Sequence, residues 1–316
     1  MLNTRKVVIV GTGFVGSSIA FALMQQGIYS EMVLIDYNKD KAEGEAMDLT
    51  DGLPYAPAMK IWAGDYSDCA DAALIIITAG AAQKPGETRL DLIGKNTKIM
   101  ASIIGEIKKT EFEGILLIVA NPVDVLTHEA LRLSGYPENR VIGSGTVLDS
   151  ARLKDEISMH LQVAAQNVHT MIIGEHGDSE VPVWSITNIA GVPLHAFCEL
   201  RGHYNHKEAM QQLYETVRDS AYHIIERKGA TYYGIAMAVA RIARCLARDE
   251  HAVLPVSSAL HGQYGIEDVH LSVPAVVGKD GVETVLEMPL DDDELAALRQ
   301  SAEALKAVIR EAEKTI

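Results

Sequence analysis

Cysteine is scarce in this sequence, which argues against a fold held by disulfides and against a zinc site built from cysteines. Only Cys69, Cys198 and Cys245 occur among the 316 residues, far apart and without a CxxC pair. Three such residues cannot all pair, and their spacing does not suit a zinc site built from cysteines. We predict no disulfide and a reducing compartment.

Positive charge is scarce too, and long apolar runs are missing. The 28 Lys and Arg residues stand against 43 Asp and Glu, a formal net charge of -15, which argues against a general affinity for nucleic acid. No run reaches the roughly 18 uncharged apolar residues of a membrane-spanning helix, and the N-terminus lacks a cleavage pattern. We expect a cytoplasmic protein without nucleic-acid or membrane partners.

Metal-binding motifs are also lacking. The sequence contains no HExxH pattern and no paired cysteines. His203 and His206 have helical spacing but no obvious third ligand. We interpret both as surface residues and predict no metal site.

The apolar residues that are present indicate a large α/β protein. They make up 48% of the chain, enough for a sizeable core, and the length fits roughly two domains. In the first half, apolar runs such as Lys6 to Val10 alternate with amphipathic helices, which predicts a doubly wound parallel sheet. Strand-like segments after Leu254 precede a final helix that begins with the acids at 291–294.

A glycine-rich turn, GTGFVG at residues 11–16, follows the first predicted strand. Gly11 permits the tight turn, Gly13 lets backbone approach a pyrophosphate, and Gly16 lets the following helix pack on the strand. Asp36 ends the second strand, where an acid binds the adenine-ribose hydroxyls and repels the extra phosphate of NADP. The alternative is a glycine turn with a chance acid. We favour an NAD site.

Two further strand ends carry polar groups toward the same edge of the sheet. The glycine-containing segment 81–89 follows the strand that ends at Thr78 and could be a lid that carries Arg89 inward. An ordinary loop whose arginine caps the next helix is the alternative. Another strand ends at Asn121-Pro122, and the extended geometry favoured before proline would leave the Asn121 amide beside the crevice.

The segment Ile172 to Glu180 offers a histidine, His176, between two glycines at the end of an apolar run. Imidazole can give and take a proton near neutral pH, so His176 is a candidate acid–base group. A structural histidine in a tight turn is the alternative. Asp149 and Arg152 are three apart on one helix face. Such pairs are mostly weak surface ion pairs, but their neighbours here are apolar.

The strings GTGFVG, AGAAQKPGETRLDL, ANPVDV, GTVLDSARL and IIGEHGDSEVP, in this order and spacing, resemble those of bacterial L-lactate dehydrogenases of the lactate/malate dehydrogenase superfamily. The resemblance covers nearly the full chain. It implies a Rossmann-type NAD-binding domain at residues 1–145 and a mixed α+β catalytic domain at 146–316. It also implies reversible, NADH-dependent reduction of pyruvate to L-lactate in fermentative glycolysis, and dimers assembling into a homotetramer.

The resemblance also implies a role for each matching residue. His176 would give a proton to the substrate carbonyl, with Asp149 hydrogen-bonded to its far nitrogen, and Arg89 would polarise that carbonyl. Arg152 would bind the substrate carboxylate through two parallel hydrogen bonds, a geometry that lysine cannot reproduce. The implied substrate contacts are Gln83, Arg89, Asn121, Arg152 and Thr231. The implied NAD contacts are Gly11, Gly13, Phe14, Val15, Gly16, Asp36, Asn121 and Ile235.

Gln83 decides which keto acid we expect. The resemblance places it where the related malate enzymes usually carry an arginine that neutralises a second substrate carboxylate. With a neutral amide at this position, closure over oxaloacetate would bury an unpaired carboxylate, at a cost of several kcal/mol, whereas pyruvate carries only a methyl group there. The sequence therefore predicts pyruvate.

Lys154 and His169 match the arginine and histidine that hold fructose 1,6-bisphosphate at a subunit interface in many bacterial relatives. Lysine keeps the positive charge but not the bidentate grip on phosphate, so we expect a weakened or absent effector response. The alternative is that both residues merely line a solvated interface.

Two other classes of function stay open at this point. The chain could be a nucleotide sensor that keeps the NAD fold without turnover, or a dehydrogenase for malate or a bulkier 2-keto acid. An acid together with cations directed at a carboxylate argues against a sensor, and Gln83 argues against malate. The width of the keto-acid pocket does not follow from the sequence.

Overall fold

The computed structural model describes residues 3–81 and 89–314, with side chains from residue 92 onward in the second range. Gln83 and the Arg89 side chain therefore lie outside the described residues. Within these ranges, no helix is long and apolar enough to cross a membrane.

The elements alternate through the first half of the chain, as the sequence predicts. The helices of the described ranges are α1 (Phe14–Gln26), α2 (Lys39–Gly52), α3 (Arg89–Ile107), α4 (Val123–Ser134), α5 (Val147–Leu161), α6 (Leu194–Leu200), α7 (His206–Lys228), α8 (Tyr233–Arg248) and α9 (Asp292–Glu313). The strands are β1 (Asn3–Val10), β2 (Glu31–Ile35), β3 (Lys60–Ala63), β4 (Ala72–Ile77), β5 (Ile115–Ile118), β6 (Val141–Gly143), β7 (Val168–His169), β8 (Ile172–Ile173), β9 (Val181–Pro182), β10 (Asn188–Ile189), β11 (Val192–Pro193), β12 (Ala252–His261), β13 (Glu267–Gly278) and β14 (Gly281–Val285).

Among the described strands, nine form one sheet in the order β14-β13-β12-β6-β5-β4-β1-β2-β3. The six strands from β6 to β3 in this order run parallel; Val8 of β1, for example, lies opposite Val33 of β2 and Ile75 of β4. The order 3-2-1-4-5-6 is that of a doubly wound dinucleotide-binding sheet. The predicted α/β fold class is confirmed.

The parallel strands are buried on both faces, which explains why their sequences do not alternate. Successive side chains of a strand point to opposite faces. Val7 and Ile9 accordingly join the core that includes α1 and α8, while Val8 and Val10 join the core that includes α3 and α4. Two apolar layers thus hold the sheet in place and leave its carboxyl edge free to carry polar groups.

The strands of the C-terminal half extend the same sheet in antiparallel fashion. β12 meets β6 at the pair Ser257 and Gly143, and β13 and β14 follow outward. The sequence predicts these strands but not their addition to the parallel sheet. Helix α9 begins with a reciprocal cap between Asp291 and Glu294 and packs its apolar stripe into a third core with β13.

A short hairpin, β8–β9, carries the loop with the candidate histidine. Gly174 leaves β8 with a φ of +93°, in the left-handed region that favours glycine. Its main chain pairs with Ser272 of β13, and a Cβ at Gly174 would lie 3.1 Å from Ser301 Oγ of α9. The loop at residues 174–180 is therefore held between β13 and α9.

Candidate active site

The glycine turn after β1 has the geometry of a dinucleotide cradle. Gly11 has a φ of +99°, and a Cβ on Gly16 would lie only 1.9 Å from the Gly11 carbonyl oxygen. A side chain at either position would therefore force the turn apart. A Cβ at Gly13 would meet nothing within 4 Å, so the backbone there faces open space at the N-terminus of α1. An anion can approach this helix end closely.

Asp36 lies beside this turn, at the end of β2. Its carboxylate accepts hydrogen bonds from the Thr12 main chain at 2.7 Å, the Thr12 hydroxyl at 3.0 Å and the Asn38 main chain at 3.0 Å. Burial alone would raise the pKa of Asp36, but these hydrogen bonds outweigh it and lower the pKa. The carboxylate is therefore ionised, fixed in direction and able to accept bonds from hydroxyl groups.

A cleft of about 780 Å³ runs along the carboxyl edge of the parallel strands. Gly13, Asp36 and Gly80 line it, together with Ile99 and Ser102 of α3. The volume falls in the range of about 300–1,000 Å³ that is typical of ligand sites. These residues fit the adenosine and pyrophosphate of a dinucleotide.

Two predicted NAD contacts, Phe14 and Ile235, lie in the first turns of α1 and α8. The Phe14 ring is 72% exposed at the start of α1 and stacks on Tyr232 with ring centroids 5.3 Å apart. Val15 and Ile235 are partly buried against the core that includes α1 and α8. The connection between α7 and α8, which holds Thr231, thus adjoins the turn.

A single carboxylate joins the candidate acid to the candidate substrate-binding cation. Asp149 of α5 lies with Oδ2 2.6 Å from His176 Nδ1 and with Oδ1 3.0 Å from Arg152 Nη1. Its side chain is only 3% exposed, while those of His176 and Arg152 are 25% and 15% exposed. The other imidazole nitrogen, Nε2, is left for a substrate, and a guanidinium that uses one N–H on Asp149 retains four more donors.

The electrostatics of this group favour a charged imidazole. The negative charge of Asp149, with its hydrogen bond, outweighs the opposing effect of burial and raises the pKa of His176 to about 9. Burial would raise the pKa of Asp149, but His176 and Arg152 lower it. At neutral pH the site therefore presents an imidazolium, a carboxylate and a guanidinium in one row.

Two residues without a predicted role hold the main chain of the loop. Asp124 Oδ2, in the first turn of α4, accepts the His176 main-chain N–H at 2.8 Å, and Ser301 Oγ of α9 accepts the Glu175 N–H at 2.9 Å. Burial raises the pKa of Asp124 to about 6, although the hydrogen bond from the His176 main chain acts to lower it. The only sequence signal was an acid at the start of an apolar helix, which by itself suggests an interaction with the helix dipole.

Glu180 is a second acid, after Asp124, that the sequence did not single out as functional. It is 6% exposed, and burial, with Asp149 nearby, raises its pKa to about 8. Its main-chain carbonyl accepts the Tyr214 hydroxyl of α7 at 2.9 Å. A mostly protonated Glu180 at neutral pH leaves Asp149 as the main negative charge on the imidazole.

Three further predicted residues, Asn121, Lys154 and His169, lie at the end of β5, on α5 and in β7. Asn121 is exposed at the end of β5, and its carbonyl accepts a hydrogen bond from Asn96 Nδ2 at 2.8 Å. Lys154 is half-buried on α5, where burial and the nearby Arg241 lower its pKa, and His169 is exposed in β7. No hydrogen bond joins Lys154 to His169 in the part of the chain that the structure describes.

The chain matches family models over nearly its whole length. Residues 5–143 match the NAD binding domain of lactate/malate dehydrogenases, and residues 146–316 match their alpha/beta C-terminal domain. It is 54% identical over 304 residues to an L-lactate dehydrogenase of Priestia megaterium, covering 96% of this chain and 95% of that protein. It is 51% identical to that of Acetivibrio thermocellus, covering 97% and 96%.

Solved structures agree with the sequence comparison. The ligands-bound form of a minor L-lactate dehydrogenase from Enterococcus mundtii superposes with a TM-score of 0.95 at 46% identity, covering 98% of each chain. A lactate dehydrogenase from a Medee basin deep-sea metagenome library gives a TM-score of 0.96 at 46% identity, covering 99% of this chain and 100% of that one. The resemblance read from the sequence is confirmed, and the chain belongs to the lactate/malate dehydrogenase family of NAD-dependent oxidoreductases.

Proposed function

We propose that this chain catalyses the reversible reduction of pyruvate to L-lactate by NADH, with His176 as the proton donor. The observation that carries the proposal is the position of Asp149, which bonds to His176 and Arg152 at once. An acid and a carboxylate-binding cation are thereby held side by side. A 2-keto acid needs both, because its carbonyl and carboxylate are adjacent.

The proton step follows from the state of the imidazole. With its pKa near 9, His176 is protonated at neutral pH and carries a proton on Nε2, directed away from Asp149. As negative charge develops on the keto oxygen, Nε2 donates its proton, and Asp149 keeps the ring oriented throughout. In lactate oxidation the same nitrogen takes the proton back.

Arg152 orients the substrate. Its planar guanidinium can donate two parallel hydrogen bonds to the pyruvate carboxylate, while the bond to Asp149 fixes the plane of the fork. Arg89, the first residue of α3, then polarises the carbonyl. Asn121 and Thr231 complete the substrate contacts.

NAD is the cofactor that the cleft fits. When bound, NADH supplies the hydride that reduces the keto carbon. Gly13 leaves room for its pyrophosphate, while Gly11 and Gly16 keep the turn tightly closed, and Asp36 accepts from its adenine-ribose hydroxyls. Phe14, Val15, Asn121 and Ile235 make the remaining contacts. We further propose an NAD-binding domain at residues 1–145 and a catalytic domain at residues 146–316; the family-model matches at residues 5–143 and 146–316 support this division.

Gln83 sets the preference for pyruvate over oxaloacetate, because a neutral amide leaves a second substrate carboxylate unpaired.

We further infer a cytoplasmic homotetramer, as the similarity to bacterial L-lactate dehydrogenases suggests. The Lys154 and His169 pair gives fructose 1,6-bisphosphate a weak hold at most.

The experiment that tests the proposed function is a panel of 2-keto acids followed by NADH oxidation. Pyruvate should give the highest kcat/KM, well above oxaloacetate and the branched keto acids. NADPH in place of NADH should be a poor reductant because Asp36 repels its extra phosphate. A higher kcat/KM with oxaloacetate than with pyruvate would refute the assignment.

A further inference from the structure

A group of metal-ligating side chains lies where α4 meets the end of α9, outside the site described above. His128 and Glu129 of α4 and Glu313 of α9 each offer one ligand atom, and these atoms lie within 4.8 Å of one another. His128 Nε2 and Glu313 Oε1 are 3.9 Å apart. Ligand atoms around a tetrahedral zinc ion, with bonds of about 2.0–2.1 Å, lie only slightly closer together.

Glu129 supplies a buried carboxylate to this group. Its side chain is fully buried, at 0% exposure, and Oε2 accepts from Arg132 Nη2 at 2.6 Å. Its other oxygen, Oε1, is buried and has no hydrogen-bond partner within the described residues. A buried carboxylate oxygen without a partner is costly, and a metal ion would satisfy it.

A second histidine, His270, is buried and lies next to His128. His270 Nδ1 of β13 lies 3.4 Å from His128 Nδ1, and His270 is only 2% exposed. If His128 gives Nε2 to an ion, its Nδ1–H can donate to His270, as ligating histidines usually donate to a neighbouring acceptor.

We propose that His128, Glu129 and Glu313 bind a divalent transition-metal ion of the Zn²⁺ class, which joins the end of α9 to α4. One imidazole and two carboxylates suit zinc with water as a fourth ligand, whereas magnesium and calcium prefer oxygen ligands throughout. The sequence predicted no metal site because the third ligand lies nearly two hundred residues away along the chain.

The position of this site links it to the catalytic loop. The first turn of α4 contains Asp124 and α9 contains Ser301, whose side chains both accept main-chain N–H groups of the loop at residues 174–180. An ion between the same two helices would fix their spacing. The loop that carries His176 would then be ordered by metal binding.

A second cluster of similar composition provides a control. Asp249, His251 and Glu283 also place ligand atoms within 4.8 Å. They are already satisfied by one another and by the chain, since His251 Nδ1 lies 2.9 Å from Glu283 and Asp249 accepts the Lys279 main-chain N–H. No buried unpartnered atom belongs to this cluster among the described residues.

The test is a Zn²⁺ titration of the untagged full-length chain after treatment with a chelator. Calorimetry measures the Kd, and Co²⁺ substitution reports tetrahedral nitrogen and oxygen ligands by its visible absorption. We expect one high-affinity ion per chain and a higher Tm in its presence. Glu129→Gln and Glu313→Gln should each raise the Kd by at least about 10- to 100-fold, since even supporting groups have effects of that size. His251→Gln should leave the Kd unchanged.

Two results would overturn the proposal. One is a wild-type chain that takes up no Zn²⁺ or Co²⁺. The other is a Kd that stays the same in Glu129→Gln and Glu313→Gln, or that rises only in His251→Gln. Glu313 is about half exposed at the end of α9, so Glu313→Gln keeps the fold and decides the question even if Glu129→Gln is unstable.

Discussion

Asp124 accepts the main-chain N–H of His176 at 2.8 Å, from a helix more than fifty residues earlier in the chain. The imidazole of the same histidine is held by a different carboxylate, Asp149, at 2.6 Å. The main chain and the side chain of His176 are thus held by two different carboxylates. Because one carboxylate lies on α4 and the other on α5, the position of the His176 imidazole depends on how these two helices pack.

Removing the main-chain anchor should slow the reaction without abolishing binding. Asp124→Ala leaves the His176 N–H without its acceptor, so the ring shifts, and misplacement by about 1 Å can cost up to about 100-fold in rate. We expect kcat for pyruvate reduction to fall about 10- to 100-fold with little change in the KM for NADH. Asp124→Asn keeps an acceptor oxygen and should retain most of kcat. Equal losses in both variants would show that the charge, rather than the hydrogen bond, matters.

Arg152→Lys tests the carboxylate fork. Lysine keeps the charge but donates no parallel pair of bonds, and hydrogen bonds to charged groups contribute about 1.5–3 kcal/mol each. We expect kcat/KM for pyruvate to fall at least about tenfold, the equivalent of about 1.4 kcal/mol. The control is Arg218→Lys, which changes a partly exposed arginine paired with Asp219 on α7. Similar losses in both variants would argue against a substrate contact.

Gln83→Arg tests the origin of keto-acid specificity. The new guanidinium would pair with the second carboxylate of oxaloacetate, removing a desolvation cost of several kcal/mol. The ratio of kcat/KM for oxaloacetate to that for pyruvate should rise by about 100-fold or more, which corresponds to about 2.7 kcal/mol. An unchanged ratio would mean that another part of the pocket decides the substrate.

Fructose 1,6-bisphosphate should activate this chain weakly or not at all. Lys154 offers a point charge in place of a planar fork, so it cannot form two parallel hydrogen bonds to a phosphate group. Initial rates at low pyruvate, with and without the sugar bisphosphate, measure the response. Lys154→Arg should restore some activation. Strong activation of the unmodified chain would contradict this expectation.

Much of the fold follows from the sequence because its signals are local. The unbroken apolar runs of β1, β2 and β4 indicate strands buried on both faces, and the glycine turn at residues 11–16 marks the passage from strand to helix. The attachment of β12 to β6 did not follow, since only Ser257 and Gly143 pair across that boundary. Contacts of this kind depend on tertiary packing rather than on any local pattern.

Some residues of the candidate site also carry a local sequence signal, whereas others do not. His176 carries a local signal, two flanking glycines and an apolar run, and the Asp149–Arg152 spacing is readable on a helix. Asp124, Ser301 and Glu180 could not be assigned roles, because their partners are distant in sequence or are created by burial. An acid whose importance comes from what surrounds it in three dimensions leaves no pattern along the chain.

The pH dependence of kcat/KM for pyruvate, in the wild type and in Asp149→Asn, tests the central claim most directly. The donor must be protonated, and Asp149 raises the pKa of His176 to about 9. Pyruvate reduction should therefore hold steady at neutral pH and fall as the pH rises through about 9, while lactate oxidation should rise over the same range. In Asp149→Asn the maximum should drop by about 100-fold or more, and the falling limb should move to lower pH. An alkaline limb that stays in place in Asp149→Asn would show that His176, held by Asp149, is not the proton donor.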